Sequence, residues 1–329
     1  MPRQARLDVP GALHHIMVRG ANQSAIFEEE QDRARFLEHL GQNVTEGQAS
    51  VYAWTLMDTH AHILFKSGRE GISSVMRKLL TWYAQYYNRR HLRTGHLFEN
   101  RYKSILCDED HYLLPLIRYI HLNPVRAGII TTLRELDSYP WSGHSTIMEK
   151  TRHDWMDTAY VLTQFGNRKR AARNAYCTFV AEGMDMGRIP ELTGGGLIRS
   201  KGAWSQVLSA RSNGQKEGFD ERILGSGEFV DAILREAEEK IRSQLKFRRI
   251  GKTIIKIIDE ECARGKVSPH ELEGGSRRRK VCVLRAAIAK RGLDELGLSL
   301  AEIARHVGVT TSSIARAVAR LEEEGRPSR

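Results

Sequence analysis

Hydrophobic positions along roughly the first 145 residues switch repeatedly between strand-length runs and helical spacing. Leu13 to Arg19 (LHHIMVR) is a short apolar run of strand length. Glu30 to Asn43 sets Phe36, Leu37 and Leu40 on one helical stripe. Val51 to Phe65 (VYAWTLMDTHAHILF) is long enough for two strands with a break near Asp58-Thr59. Ile72 to Arg89 reads as a helix rich in Tyr, Trp, Lys and Arg, and Ser104 to Cys107 as a short strand. Tyr112 to Leu122 reads as a further helix, stopped by Pro124. Strands interleaved with helices over short connections predict an α+β fold, an antiparallel-core sheet with helices packed against it.

The pattern then changes. Between about 150 and 245, YVLTQFG and RNAYCTFVAEG look helical, while Gly194 to Gly196 and RSNGQKEG mark loops. No motif in this stretch speaks for a chemistry. From Lys246 to Lys290 there are 13 Lys/Arg against 5 Asp/Glu, so much of the chain's net charge of +11 sits in one segment. Three parts follow: a sheet domain over 1–148, a mainly helical connecting region over 149–245, and an all-α domain over 246–325. A basic excess of this size favours a polyanionic partner. No apolar stretch approaches the roughly 20 residues that span a bilayer, and the start lacks the apolar core of a secretory signal. Nucleic acid is therefore expected over membrane, in the cytoplasm at the nucleoid. The four cysteines are far apart and form no C-x-x-C pair, which argues against a zinc site or disulfide framework.

Within the last part, LSLAEIARHVGVTTSSIARAVARLEEEG has the periodicity of two short helices. Ser299 and Glu302 form a capping box, with Ala301, Ile303, Ala304 and Val307 as the buried stripe. Gly308 suits a left-handed C-cap, and a second helix to about Glu324 turns Ile314, Val318 and Leu321 inward. This is a helix-turn-helix, whose second helix would enter a major groove. Thr310, Thr311, Ser312, Ser313 and Arg316 would then lie near phosphates or base edges, and Arg277, Arg278, Arg279 and Lys280 of GGSRRRKV could grip phosphates. These last 80 or so residues resemble the C-terminal DNA-binding domain of the bacterial replication initiator DnaA. That family's Asp-His-Thr-Thr signature is replaced here by Thr310-Thr311-Ser312-Ser313. The resemblance implies double-stranded DNA binding without implying the initiator's target.

Candidate chemistry lies upstream. His60 and His62 in MDTHAHILF alternate onto one face of a strand. They are either polar residues on a wet edge or two ligands of a metal. In YLLPLIRYIHLNPVRAG, Tyr119 and Asn123 are four apart and share a helix face. If that helix packs on the strand, Asn123 could add a carbonyl oxygen to a Mg²⁺ or Mn²⁺ site. Tyr112 competes with Tyr119 for a chemical role, and His121 with Asn123, because Pro124 disfavours helical geometry at residue 123. In the helix of Ile72 to Arg89, Trp82, Tyr83, Tyr86 and Tyr87 interleave with Arg77, Lys78, Arg89 and Arg90. Aromatics among arginines suit single-stranded nucleic acid, or equally a core stripe with a basic edge.

Together with RTGHLFENRYKSI, LIRYIHLNPVRAG, VPGALHHIMVRGANQSAIF and SYPWSGHS, the histidine pair resembles the HUH single-tyrosine transposases, specifically the REP-associated tyrosine transposases of bacteria. Ala61 is smaller than the bulky residue usual between that family's histidines. The resemblance implies an HUH, ferredoxin-like sheet domain. It implies Tyr119 as nucleophile on hairpin-forming single-stranded DNA, a 5′-phosphotyrosine intermediate, and His60, His62 and Asn123 as ligands of a divalent metal. Arg19, Asn22, Arg101 and Lys103 become further DNA contacts, no nucleotide cofactor is needed, and monomer and homodimer are both compatible. From another class, a DNA-binding regulator derived from a transposase would keep the fold without the chemistry. A replication factor is disfavoured by the lack of a G-x-x-x-x-G-K-[ST] loop.

Overall fold

The structure, a computed structural model, describes residues 7–68, 71–187, 192, 220, 222–249, 252–298 and 300–324. The loops expected at Gly194 to Gly196 and over RSNGQKEG lie outside these residues, as do Ser299 of the expected capping box and the side chains of Ser312 and Leu321. The chain divides into two compact units, Met1–Ala232 and Ile233–Arg329.

The first unit is built on a mixed sheet. Strands β1 (Leu13–Arg19), β2 (Ser50–Met57), β3 (His60–Lys66) and β4 (Lys103–Cys107) pair antiparallel, and the two-residue β5 (Ile223–Leu224) joins β4 in parallel. The order is β2-β3-β1-β4-β5. The break expected at Asp58-Thr59 is a two-residue hairpin turn, held from outside by Arg33 on Asp58 and by the Ile26 N–H on the Asp58 carbonyl at 2.8 Å. Register sets the faces. His60 lies opposite Arg19, His62 opposite Met17, and Lys103 opposite Met17 on the other flank. Directly opposed residues share a face, so His15, Arg19, His60, His62 and Lys103 project on one side. Ile16, Val18, Ile63 and Phe65 alternate to the other side and are buried there.

Helix α1 (Glu30–Glu46) opens with a reciprocal capping box between Glu29 and Asp32. It packs on α2 (Gly71–Arg90), with the Phe36 and Tyr83 rings edge to face at 5.0 Å. Tyr83 and Tyr87 are wholly buried, and Tyr83 donates its hydroxyl to the Ile26 carbonyl at 2.6 Å. Core burial of such a ring is worth roughly 1.5–3 kcal/mol, so these two tyrosines serve packing. Helix α3 (Glu109–His121) packs on β2 and β3 over the histidine face. Pro124 does not simply end it. A short α4 (Asn123–Arg126) follows at once with Pro124 in its first turn, where no N–H is required.

Helices α5 (Leu133–Ser138), α6 (Gly143–Ile147), α7 (Thr158–Thr163) and α8 (Lys169–Ala181) complete this unit's described helices up to residue 187. Ala172, Tyr176 and Val180 recur every fourth residue of α8 and join the same core as the sheet. Within the expected connecting region, α7 and α8 thus share the sheet's core, while residues from Ile233 onward belong to the second unit.

The C-terminal stretch is helical: α9 (Gly227–Arg249), α10 (Ile254–Gly265), α11 (Pro269–Glu273), α12 (Arg279–Leu296), α13 (Leu300–His306) and α14 (Thr311–Glu324). A second core holds Ile257, Leu272, Val281, Ile288, Ile303, Val307 and Ile314. Between α13 and α14 the chain turns on Gly308 at φ 67°, against the Glu273 carbonyl, leaving no room for a side chain. Arg285 is buried and donates to the carbonyls of Leu272, Ser276 (2.6 Å) and Val307 (3.2 Å), pinning this turn to α11 and α12.

Candidate active site

Three histidines and one tyrosine meet on the sheet face under α3. His15 Nε2 lies 3.0 Å from His62 Nδ1, and the two rings stack with centroids 5.2 Å apart. The Tyr119 ring stands edge-on to both, 6.1 Å from His15 and 6.1 Å from His62. The His60 ring is 5.2 Å from His62, and its Nδ1 lies 3.0 Å from Thr59 Oγ1. Both members of the pair therefore have Nδ1 engaged, which leaves Nε2 as the nitrogen that could ligate. Burial pushes the His62 imidazole well below its ordinary value, and His15, His60 and Arg19 push the same way. Burial also lowers His60, with Arg19 adding and Asp58 opposing. Both are thereby held neutral, the form that binds a metal.

Asn123 follows α3 directly. Its Nδ2 donates to the carbonyls of Tyr119 (3.1 Å) and Ile120 (3.2 Å), an orientation set by this network. The amide nitrogen is spent on the helix end and Oδ1 remains an acceptor. Two imidazole Nε2 atoms and an amide oxygen suit a divalent cation that keeps further positions open. Among the described residues no three His, Cys, Asp or Glu side chains are grouped to hold an ion. Arg126 sits over the Tyr119 ring, its guanidinium carbon 4.8 Å from the centroid, and donates to the Tyr119 carbonyl at 2.7 Å.

The alternatives lie elsewhere. Tyr112, two turns earlier, is half-buried against the core, where burial and then Asp108 raise its pKa. His121 points into a buried cluster with Tyr176 and His144. Of the expected DNA contacts, Arg19 is exposed beside His60, and Lys103 shares the histidine face. Asn22 is exposed with φ 52°, and Arg101 is exposed just before β4. Arg77 is exposed, and Lys78 pairs with Glu46 at 3.7 Å. On α2, Trp82 stacks on His39 at 4.1 Å and lies parallel to Tyr86 at 5.5 Å.

In the second unit Arg277, Arg278, Arg279 and Lys280 are exposed, and Arg278 pairs with Glu271 at 2.9 Å. Thr310 caps α14, accepting the Ser313 N–H at 3.3 Å, and Thr311 is half-buried beside it. Ser313 and Arg316 line a groove of about 320 Å³ together with Arg279, Cys282 and Arg320. Sequence reasoning missed Arg320 and, more consequentially, His15. A signal existed for the latter. A His-His doublet in a strand puts one imidazole on each face, so one of the two had to join His60 and His62.

Residues 9–123 match the family model described as "Transposase IS200 like", so this part of the chain is similar to that family. The matched segment runs from just before β1 to Asn123 and includes His15, His60, His62 and Tyr119. A solved structure, "Structure of the REP associates tyrosine transposase bound to a REP hairpin", aligns at 16% identity over 48% of this chain and 98% of that chain, with a TM-score of 0.38. No curated protein matches. Among the described residues no helix is long and apolar enough to cross a membrane.

Proposed function

We propose that the first unit cleaves and rejoins hairpin-forming single-stranded DNA through Tyr119. The phenol Oη attacks a phosphodiester and forms a P–Oη bond. The P–O3′ bond breaks, and the proton lost by the phenol is balanced by one gained at O3′, giving a 5′-phosphotyrosine and a free 3′ hydroxyl. Reversal against another 3′ hydroxyl rejoins strands. Bond energy is retained in the phosphotyrosine, so no nucleotide cofactor takes part. A phenol is a weak nucleophile at neutral pH because its pKa is near 10. Arg126 over the ring favours the developing phenolate, and α3 holds the ring against the histidines. His60, His62 and Asn123 would hold Mg²⁺ or Mn²⁺, which supplies neutralisation of charge on the phosphate oxygens. Arg19 and Lys103 share that face and would meet the strand's phosphates.

The observation carrying this reading is the Tyr119 ring standing 6.1 Å from the His62 ring within one chain. The second unit, in the same reading, is a helix-turn-helix related to the initiator's DNA-binding domain that grips duplex DNA with α14 and the basic run 277–280. The test incubates labelled hairpin oligonucleotide with the protein and Mn²⁺ or Mg²⁺, then resolves it under denaturing conditions. A denaturant-stable adduct is expected, lost in Tyr119→Phe and on chelation. No adduct from the wild-type chain would leave a DNA-binding regulator in its place.

A further inference from the structure

Between the tyrosine helix and α8 runs a buried chain of hydrogen bonds with a definite direction. Tyr176 Oη lies 2.8 Å from His121 Nδ1 and 2.7 Å from His144 Nδ1, and His144 Nε2 lies 2.8 Å from Asp137 Oδ1. His121, His144 and Tyr176 are wholly buried. One hydroxyl has one proton, so it donates to only one of the two Nδ1 atoms and must accept from the other. Asp137 settles which. Its carboxylate takes an N–H from His144 Nε2, and His121, whose Nε2 meets no acceptor, places its proton on Nδ1, so the His144 Nδ1 is the acceptor. Tyr176 donates there and accepts from the Nδ1–H of His121. The His121 Nε2 is left bare, buried and without a hydrogen-bond partner. A side chain at Gly143 would come within 3.0 Å of that nitrogen, so the glycine is what lets α6 approach.

The chain's far end is the last residue of α3, two positions after Tyr119 and two before Asn123. The same part of α3 meets α8 at one further point and the turn after α8 at another. Arg118 lies over the Phe179 ring at 4.4 Å, and a side chain at Gly183 would come within 2.6 Å of Arg118 Cδ. Residues 118 and 121 lie on other faces of α3 than Tyr119. The helix is thus held from behind while Tyr119 faces the histidines.

We infer that Tyr176 is a positioning residue for Tyr119: the chain Asp137–His144–Tyr176–His121 fixes the rotation and depth of the C-terminal turn of α3 over the histidine pair. This rests on the reading proposed above and adds to it a required part that lies outside the matched 9–123 segment.

The test compares the full chain with Tyr176→Phe, which keeps the ring and removes only the hydroxyl. Nitrogen-15 spectra of labelled histidines, assigned with His121→Asn and His144→Asn, report tautomers. The wild type should show His121 protonated at Nδ1 and His144 at Nε2, each as a single form, and His121 should lose that preference in Tyr176→Phe. Nuclear Overhauser contacts between the Tyr119 and His62 rings should weaken in the variant while β1 and β3 amide shifts hold. Adduct formation on the hairpin oligonucleotide should fall by about tenfold or more with affinity for the oligonucleotide within about twofold, as misplacement of a reacting group requires. Unchanged ring contacts and an unchanged adduct rate in Tyr176→Phe would overturn the inference, as would averaged tautomers in the wild type. If the wild type forms no adduct but the ring contacts depend on Tyr176, the nucleophile assignment fails and the positioning stands.

Discussion

His15 and His14 are neighbours in sequence and opposites in structure. His15 turns toward Tyr119 and shares a hydrogen bond with His62. For His62 Nε2 to ligate, its Nδ1 would carry the proton and His15 Nε2 would accept it, so in the proposed site His15 would orient a ligand. Removing such a partner usually costs 10–100-fold in metal affinity. His15→Phe is therefore expected to weaken Mn²⁺ binding by about that factor in calorimetry. An unchanged affinity would remove His15 from the site. His14 turns to the other face, where its Nδ1 lies 3.2 Å from Ser104 Oγ. Burial takes its pKa from 6.5 down to about 4, against a smaller upward pull from Asp8. Between these two values the unfolded chain binds a proton that the folded chain refuses, so stability falls as pH drops through that window. The melting temperature should decline from pH 6.5 toward pH 4, and the decline should be shallower in His14→Gln. A slope identical in the variant would contradict the assignment. Little of this is legible in the sequence. His60 and His62 announce themselves by spacing, but the part His15 plays depends on strand register.

At the scale of elements, hydrophobic period locates β1, the β2-β3 hairpin, α1, α2 and α3 to within a few residues. It does so because each buries one face and its sequence repeats accordingly. Period says less about what a ring is for. Tyr83 and Tyr87 sit among arginines as a stacking platform would, yet both are core, while Trp82 and Tyr86 with His39 form a partly open stack. Alanine at Tyr83 should cost about 3–5 kcal/mol of stability in denaturant unfolding, as emptying an aromatic site does. Alanine at Trp82 should cost much less and weaken oligonucleotide binding instead. Two elements are beyond the reach of periodicity: β5, too short to have a period, and α4, whose Pro124 signals a stop and a start alike. Gly308 is the opposite case, a left-handed turn named by residue type alone.

At the scale of the molecule, charge is the property that survives every detail of packing. A net charge of +11 with exposed Arg277, Arg278, Arg279 and Lys280 predicts salt-sensitive duplex binding. Replacing all four by alanine should flatten the dependence of log K on log salt by about 0.9 for each phosphate that they neutralise. Cleavage of short single strands should persist. A slope that did not move would detach this run from DNA. The boundary expected near residue 148 falls where motifs run out. Chemistry-bearing motifs do end there, but α8 has an amphipathic stripe that needs a core, and the sheet domain's core is where it goes. A segment silent in motifs is not thereby a linker.

The proposed chemistry requires Tyr119 to become covalently bonded to DNA. Mass spectrometry of the peptide recovered from the trapped adduct, after nuclease digestion, reads that bond directly. A nucleotide phosphate on Tyr119 is the predicted result, and one on Tyr112, or on no tyrosine of α3, contradicts it.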